Sequence, residues 1–493
     1  MNRRYTRRNF LQLAGAGLST ALSIPFSFAA EAEVNRYNVL FIAVDDLRPE
    51  LGSYGIPYAP TPNMDRLAKS AVRFTNHFVQ VPTCGASRYS LLTGRSPSQS
   101  GVTTGNSAFY EGDSALSHQQ LDSAQSMPEL FRRSGYHTVS IGKVSHTADG
   151  KVFAYNGQGD GRDEVPHAWD ELSTPYGNWK RGWGVFFAYT NGRHREDGLG
   201  NLDLHEFAAE QDEELPDGLN ARVAIDKLHE LKNRDSPFFM GLGFYKPHLP
   251  FVATRDDWEA VQDLEIPIAP HQTKPESAYW HRSNEFYKYN MPYEKSYPLA
   301  EEDQKQVYRA YLACVRYTDR QIGKVLDALD ETGLSASTIV VLWGDHGWHL
   351  GDTQLWGKHT PFERAVHSPL MIRMPEMKNA GKACDALVET IDIYPTLVQL
   401  CNPPFQKTAY GWDGKNLAPL LENINGDIRK AALSYWRDAV SVRTRSHRLI
   451  ARKNGSEYRD IELYHIEQSP DPINDLSQSH DSLVQELLAY MPD

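Results

Sequence analysis

Five apolar runs, separated by segments with helical periodicity, constrain the fold of this chain more than any other feature. Each run is almost continuously hydrophobic, as expected of a strand that is covered on both faces. The runs are NVLFIAV (38–44), TVSIG (138–142), FFMGLGF (238–244), TIVVLW (338–343) and LMIRM (370–374). Strands that alternate with helices form parallel sheets. The sequence therefore predicts an α/β fold with a large, mostly parallel sheet flanked by helices.

The pattern along the chain divides it into three parts. Helices are predicted over 62–72, 126–135, 220–233, 302–333 and 392–400. After residue 405 the sequence pattern changes and predicts short antiparallel strands followed by a terminal helix over 480–491. We expect an export signal (1–30), a main α/β domain (36–405) and a smaller C-terminal α+β subdomain (406–493) with a short antiparallel sheet. The region 150–215, rich in Gly, Asp, Trp and Tyr, is interpreted as insertions that contact a ligand.

The N-terminus has the pattern of a bacterial twin-arginine export signal. RRNFL (7–11) precedes a modestly apolar, Gly/Ala-rich stretch that ends in small residues near Ala30. An uncleaved membrane anchor is the alternative, but this stretch is short and is interrupted by Ser and Pro. We predict cleavage, and therefore a periplasmic or secreted protein whose mature form is not attached to a membrane.

The net charge of the mature chain limits the classes of molecule that its surface can bind. Cleavage after Ala30 removes four of the 51 basic residues and none of the 63 acidic ones, so the formal net charge falls from −12 to about −16. A surface this acidic does not suit nucleic acid or anionic membranes. An anionic substrate would have to be attracted by a local pocket.

Polar residues follow four of the predicted strands, at the point where each strand ends. Ligands of open parallel sheets bind outside the carboxyl ends of the strands, so these side chains are expected to meet at one edge. Adjacent aspartates repel each other unless a cation neutralises them, and oxygen donors suit Ca²⁺ or Mg²⁺. Taken singly, each motif has a simpler interpretation, such as a turn, a helix cap or a surface charge. The strand-end residues are Asp45, Asp46, Lys143, His146, His248, Asp345 and His346.

Cys84 is the only cysteine in the first three hundred residues, and it lies before a predicted helix in VPTCGASRYSLLTGR (81–95). CGASR has the form Cys-x-Ala/Pro-x-Arg, and SLLTGR follows shortly after it. With FIAVDDLRPELGSYG, TPNMDRLA, YKPHLPF, DHGWHLGD and WGKHTPFERAVHSPL, this motif resembles the type I sulfatases of the alkaline-phosphatase superfamily. The resemblance covers roughly residues 36–480. VDDLRP, the GKVxH spacing and KPHxPF look most like the iduronate-2-sulfatase branch.

The resemblance implies a role for each of these residues. Cys84 would be oxidised by a maturation enzyme to Cα-formylglycine, whose hydrated form is the nucleophile. One Ca²⁺ would be held by Asp45, Asp46, Cys84, Asp345 and His346. Arg88 and Lys143 would hold the nucleophile region, and Lys358 would bind sulfate oxygens. His248 would protonate the leaving alcohol, and His146 would deprotonate the remaining hydroxyl.

The implied activity is hydrolysis of a sulfate ester on a carbohydrate. The expected substrate is a 2-O-sulfated uronic acid in fragments of glycosaminoglycan or marine polysaccharide, with Trp348, His349 and the 150–215 insertion shaping the sugar subsites. Two alternatives stay open at this stage. The chain could hydrolyse phosphonate monoesters or phosphodiesters with the same nucleophile and metal, or it could be a carbohydrate-binding relative with an inactive site.

Overall fold

The structure, a computed structural model, describes residues 36–153, 160–455, 457–467, 470 and 473–492. The predicted export signal (1–30) lies outside the described residues. The strands are β1 (Asn38–Val44), β2 (Val72–Phe78), β3 (His137–Gly142), β4 (Glu171–Leu172), β5 (His205–Ala209), β6 (Phe238–Phe244), β7 (Phe251–Thr254), β8 (Thr338–Gly344), β9 (His349–Leu350), β10 (Trp356–Gly357), β11 (Leu370–Arg373), β12 (Ala383–Glu389), β13 (Ala432–Trp436), β14 (Ala439–Arg443), β15 (His447–Asn454) and β16 (Glu457–His465). The helices are α1 (Pro62–Ala68), α2 (Cys84–Thr93), α3 (Pro97–Ser100), α4 (Met127–Arg133), α5 (Gly182–Phe186), α6 (Pro216–Leu231), α7 (Arg255–Glu259), α8 (Asn284–Tyr287), α9 (Glu301–Glu331), α10 (Glu363–Val366), α11 (Ile393–Cys401), α12 (Ala418–Glu422) and α13 (Asp481–Leu488).

An eight-stranded sheet organises the main part of the chain, in the order β12-β2-β11-β8-β1-β6-β3-β4. Its pairs are parallel except those that β11 makes with β2 and β8. All five predicted strands are present, and the mostly parallel sheet is confirmed. β2 and β12 were not predicted, because half-buried polar residues such as Arg73 and Asn76 interrupt their apolar pattern.

Burial on both faces explains why the central strands are continuously apolar. Successive side chains of a strand point to opposite faces. In β1, Leu40 and Ile42 join the core beneath the long helix α9, whereas Val39 and Phe41 join a second core with α2, α4 and α11. The sheet is therefore the middle layer between two helical layers.

All five predicted helices are present, but three of them have different bounds: α6 begins four residues early, at Pro216, and α4 and α1 are shorter than predicted. The segment 62–72 was predicted as one helix, but α1 ends at Ala68 and β2 begins at Val72. The backbone N–H groups of Lys69 and Ser70 close the last turn onto carbonyls of α1. Three residues of turn then reverse the chain into the sheet.

The C-terminal part forms the predicted antiparallel sheet, with the order β13-β14-β15-β16. α13 packs on it through Val484 and Leu487. β13 is joined to the main part by hydrogen bonds from Tyr435 N to Gln80 O (2.7 Å) and from Ser434 Oγ to Val79 O (2.6 Å). The domain boundary at residue 405 stays a prediction, since residues 36–493 form one compact unit. Within the described residues, no helix combines the length and apolarity needed to cross a bilayer.

Candidate active site

The sheet order explains how distant segments meet. β8, β1, β6 and β3 are consecutive neighbours and run parallel, so their carboxyl ends share one edge. All the strand-end residues singled out from the sequence lie at this edge. Cys84, at the first position of α2, and Lys358, just after β10, complete the group.

Two glycines allow the ends of β3 and β6 to approach closely. A Cβ on Gly142 would lie 2.0 Å from Gly243 O, and a Cβ on Gly243 would lie 2.0 Å from Lys143 O. Gly142 also has a φ of +68°, which favours glycine. The chain therefore turns sharply at Lys143 and directs its ammonium group to the Asp45 carboxylate, with which it forms a fully buried ion pair.

A cluster of four buried side chains forms the centre of the site. Ligand atoms of Asp45, Asp46, Cys84 and His346 all lie within 4.8 Å of one another. Cys84 Sγ is 3.3 Å from both Asp45 Oδ1 and His346 Nε2. Asp46 has a φ of 58°, and its Oδ1 is 3.4 Å from His346 Nε2. Its Oδ2 is a buried atom without a hydrogen-bond partner among the described residues. The donor set therefore suits a hard divalent cation.

Asp345 lies beside this cluster, and both of its carboxylate oxygens already accept hydrogen bonds. Its Oδ1 accepts the backbone N–H of Asp46 at 3.0 Å and is 3.6 Å from His346 Nε2. Its Oδ2 accepts the Nε–H of the fully buried Arg88 at 3.0 Å. Arg88 does not line the cavity; its guanidinium also donates to the carbonyls of Lys143 and Val144. Arg88 thus orders Asp345 and the Lys143 turn from behind.

Lys358 links the carboxylates to the cysteine. Its Nζ is 2.7 Å from Asp46 Oδ1 and 3.4 Å from Cys84 Sγ. Burial raises the pKa of Asp46 to about 7, and Asp45 adds to this effect while Lys358 opposes it. The ionised form of the buried Asp46, next to Asp45, is therefore unfavourable even with Lys358 in contact.

The environment of Cys84 is unfavourable for a reactive thiol. Its side chain is buried, and burial together with Asp45 raises the pKa of the thiol well above its ordinary value. A protonated thiol is a weak nucleophile. The start of α2 is instead held by Asn106, whose Oδ1 accepts the Gly85 N–H at 3.0 Å, because Thr83 at the N-cap makes no side-chain cap.

His248 is placed by a tightly hydrogen-bonded turn. The buried Lys246 donates from Nζ to the carbonyls of His248 (3.0 Å) and Pro250 (2.6 Å). Asp217 accepts the backbone N–H groups of Tyr245 and Lys246 at 2.9 Å. Burial and Lys358 lower the pKa of His248 to about 4. Lys246 therefore supports the turn, while His248 faces the cavity.

His146 has a different environment. It is buried and lines the same cavity, and neither ring nitrogen has a hydrogen-bond partner among the described residues. Burial and the nearby Lys143 lower its pKa well below the ordinary value, so the ring is neutral. A neutral, unpartnered imidazole facing a polar cavity can accept a proton.

A cavity of about 590 Å³ opens above the site, and Cys84, Lys143, His146, His248 and Lys358 line it. As expected, the 150–215 insertion contributes to its wall, through Phe186, Phe187 and Arg195. Trp348 and His349, expected to shape the sugar subsites, do not line it. Both are buried; the Trp348 ring lies under Lys358, and His349 Nε2 is 2.8 Å from Thr360 Oγ1.

Two residues at the site were missed by sequence reasoning. Glu285, on α8, lies 3.2 Å from His248 Nε2, and Asn106 caps α2. Both lie away from the strand ends, Glu285 in a single-turn helix and Asn106 in a loop, and no neighbouring motif marks them. Three cations of the outer wall were also missed, and within the described residues none of them forms an ion pair with a carboxylate. They are Arg282, Lys288 and Arg437.

Solved structures share this architecture. A phosphonate monoester hydrolase from Agrobacterium radiobacter superposes with a TM-score of 0.73 at 20% identity, over 92% of this chain and 95% of that one. At this identity the likeness establishes the fold alone. The fold is that of the alkaline-phosphatase-like hydrolases.

Sequence comparison places the chain within that class. Residues 37–403 match the Sulfatase family, and the protein belongs to the sulfatase family, which hydrolyses sulfate esters. A sulfatase from Formosa agariphila is 30% identical over 476 residues, which cover 94% of this chain and 87% of the relative. Iduronate 2-sulfatase from Mus musculus is 31% identical over 436 residues, covering 80% of this chain and 74% of the relative.

Proposed function

We propose that this sulfatase removes sulfate from a 2-O-sulfated uronic acid in fragments of glycosaminoglycan or marine polysaccharide. The observation that carries the proposal is that Cys84 and Lys358 line one cavity and are in direct contact with the buried carboxylates of Asp45 and Asp46. The likeness to iduronate 2-sulfatase supports the choice of sugar. The unpaired cations of the outer wall support a substrate with a second acidic group, such as a uronate carboxylate.

The residues fit one Ca²⁺ ion. Carboxylate oxygens are its preferred ligands, and a cation would stabilise the ionised form of the buried Asp46 next to Asp45. Asp45, Asp46, His346 and residue 84 would hold it, with Asp345 beside them. When bound, such an ion neutralises charge on the ester being hydrolysed.

The remaining roles follow from position. Lys358, within reach of residue 84, would bind sulfate oxygens, and Lys143 would keep Asp45 in place. Conversion of Cys84 to formylglycine by a maturation enzyme would replace an inert thiol with a hydroxyl nucleophile. His248 would give a proton to the leaving alcohol, and the neutral His146 would accept one from the nucleophile. Export through the twin-arginine route would place the enzyme in the periplasm or outside the cell.

The test is release of inorganic sulfate from defined disaccharides, measured by ion chromatography. Protein co-expressed with a formylglycine-generating enzyme should act on 2-O-sulfated uronates, and the Cys84→Ala variant should not. Activity confined to 6-O- or N-sulfated glucosamine would overturn the choice of sugar. Phosphonate monoesters belong in the same panel, since turnover of these in preference to every sulfate ester would favour the alternative hydrolase.

A further inference from the structure

Glu285 lies close to the candidate catalytic groups, yet it belongs to none of the sequence motifs. It lies on the short helix α8, its side chain is 19% exposed, and it lines the cavity. One carboxylate oxygen, Oε1, is 3.2 Å from His248 Nε2. The other, Oε2, is 3.7 Å from Lys358 Nζ.

A carboxylate at this place needs an explanation, because it repels the anion that the cavity would bind. The other acidic residue of the wall, Glu196, is paired with Arg195 at 2.8 Å. Burial alone would raise the pKa of Glu285, but Lys358 and His248 together lower it well below its ordinary value. Glu285 is therefore an ionised carboxylate in contact with Lys358 and His248, the two residues that would bind sulfate and protonate the leaving group.

The contacts of His248 show what Glu285 does for the ring. Nδ1 is 2.6 Å from the carbonyl oxygen of Leu249, so Nδ1 carries a hydrogen and donates it there. Only Nε2 then faces the cavity and can give a proton to a substrate. Phe186 packs against the ring with its centroid 4.5 Å away. Glu285 is the nearer of the two carboxylates at Nε2, at 3.2 Å, whereas Asp46 Oδ2 is 3.9 Å away.

We propose that Glu285 is a positioning residue that holds His248 Nε2 toward the leaving oxygen of the substrate. The inference rests on the proposed function, since it assigns a partner to the proton donor of that reaction. Because Nδ1–H is donated to Leu249, an Nε2–H exists only in the protonated ring, and Glu285 favours this form against burial and Lys358. In that form Nε2–H donates a hydrogen bond to the Glu285 carboxylate before the reaction. As the ester bond breaks, that proton passes to the leaving oxygen, and the carboxylate keeps no proton.

The contact with Lys358 is longer, at 3.7 Å, and Lys358 is already anchored by Asp46 at 2.7 Å. The loss of Glu285 should therefore affect the orientation of His248 more than that of Lys358. This difference separates the proposal from a role in which Glu285 only neutralises cations. The second role would weaken all substrates equally.

The first arm of the test needs no turnover. In the calcium-loaded protein labelled with ¹⁵N-histidine, the Nε2 resonance of His248 is assigned by its disappearance in His248→Ala. It should shift in Glu285→Gln, which keeps the shape of the side chain, and stay in place in Glu196→Gln, the matched control. An unchanged resonance in Glu285→Gln overturns the proposal, whether or not any sulfate ester is hydrolysed.

The second arm compares leaving groups. Glu285→Gln should lower kcat/KM for the sulfated sugar roughly tenfold or more, while 4-nitrophenyl sulfate, whose leaving group needs little protonation, changes less than about threefold. In a His248→Ala background the substitution should add no further selective loss. Equal losses on both substrates overturn the proposal, and Glu285→Asp, measured alongside, should recover part of the selectivity. If the resonance shifts as expected in Glu285→Gln but the wild type releases no sulfate, the result counts against the proposed function alone.

Discussion

His346 Nε2 lies 3.3 Å from Cys84 Sγ, although the two residues are 262 positions apart. The contact joins the end of a central strand to the start of a helix on one face of the sheet. It places the candidate nucleophile among the atoms best suited to hold a metal. Mutations at either partner should therefore have consequences for both metal binding and turnover.

Removal of the Asp45 carboxylate from the cluster, or of the Asp345 carboxylate beside it, should abolish calcium binding and activity together. Asp45→Ala leaves Lys143 without its partner and removes a metal ligand, and Asp345→Ala frees Arg88. A ligand present at about 100 times its Kd stabilises the folded state by about 2.7 kcal/mol, so the calcium-dependent rise in Tm should disappear. Calorimetric titration and thermal unfolding with and without a chelator test this. The exposed Asp263→Asn serves as control, and full activity of chelated wild type would refute the assignment.

Loss of His248 should be selective for poor leaving groups. A sugar alkoxide needs a proton as it departs, whereas nitrophenolate hardly does, so His248→Ala should reduce sugar desulfation by about 10²–10⁴ and aryl sulfate turnover far less. Steady-state kinetics on both substrates measure the ratio. His229→Ala, at an exposed position of α6, should leave both rates intact. Equal losses would reduce His248 to a binding or packing residue.

Cys84→Ser should stop the reaction after sulfate transfer. The hydrated aldehyde has two hydroxyls, one to attack sulfur and one to expel sulfate, whereas serine has one. The variant should therefore accumulate a sulfate ester on residue 84. Mass spectrometry of the peptide that contains this residue should show the aldehyde in matured wild type and the trapped ester in the variant. Fully active enzyme with an unmodified thiol would disprove the mechanism.

The outer cations should determine affinity for charged sugars. Arg437→Gln and Arg282→Gln each remove an exposed charge of the wall that pairs with no carboxylate among the described residues. The loss of about 1 kcal/mol per charge should raise KM for the uronate substrate roughly fivefold and leave 4-nitrophenyl sulfate unaffected. The effect should shrink as salt is added. Arg234→Gln, in a groove elsewhere on the surface, is the control; an unchanged KM in the wall variants would show that the second acidic group binds elsewhere.

Asn106 should stabilise the start of α2. Asn106→Ala removes the acceptor for Gly85 N–H and should cost about 1 kcal/mol of unfolding free energy, as typical helix caps do. Asn106→Asp keeps an acceptor and should retain most of that stability. Chemical denaturation of both variants measures the difference. Equal stability of Asn106→Ala and wild type would mean that water replaces the cap without loss.

The sequence was sufficient to predict the central strands and the edge where the site lies. Continuous burial makes strands such as β1 recognisable, and strand ends such as Asp45–Asp46 and Asp345–His346 then follow from the parallel order. The antiparallel insertion of β11 was not predictable, because an apolar run does not record its direction. Glu285 and Asn106 could not be found either, since only tertiary packing brings them to the site.

The burial of Cys84 has a consequence for how the enzyme is produced. With only 3% of this residue exposed in the folded chain, a macromolecular catalyst cannot reach its thiol. If the thiol is to be oxidised, this must happen while the chain is still open, in competition with collapse of the sheet around β1 and β8. Chains that fold before Cys84 is oxidised would be stable but inactive, because the thiol would no longer be accessible. The specific activity of a preparation would then depend on the rate of Cys84 oxidation relative to the rate of folding during biosynthesis.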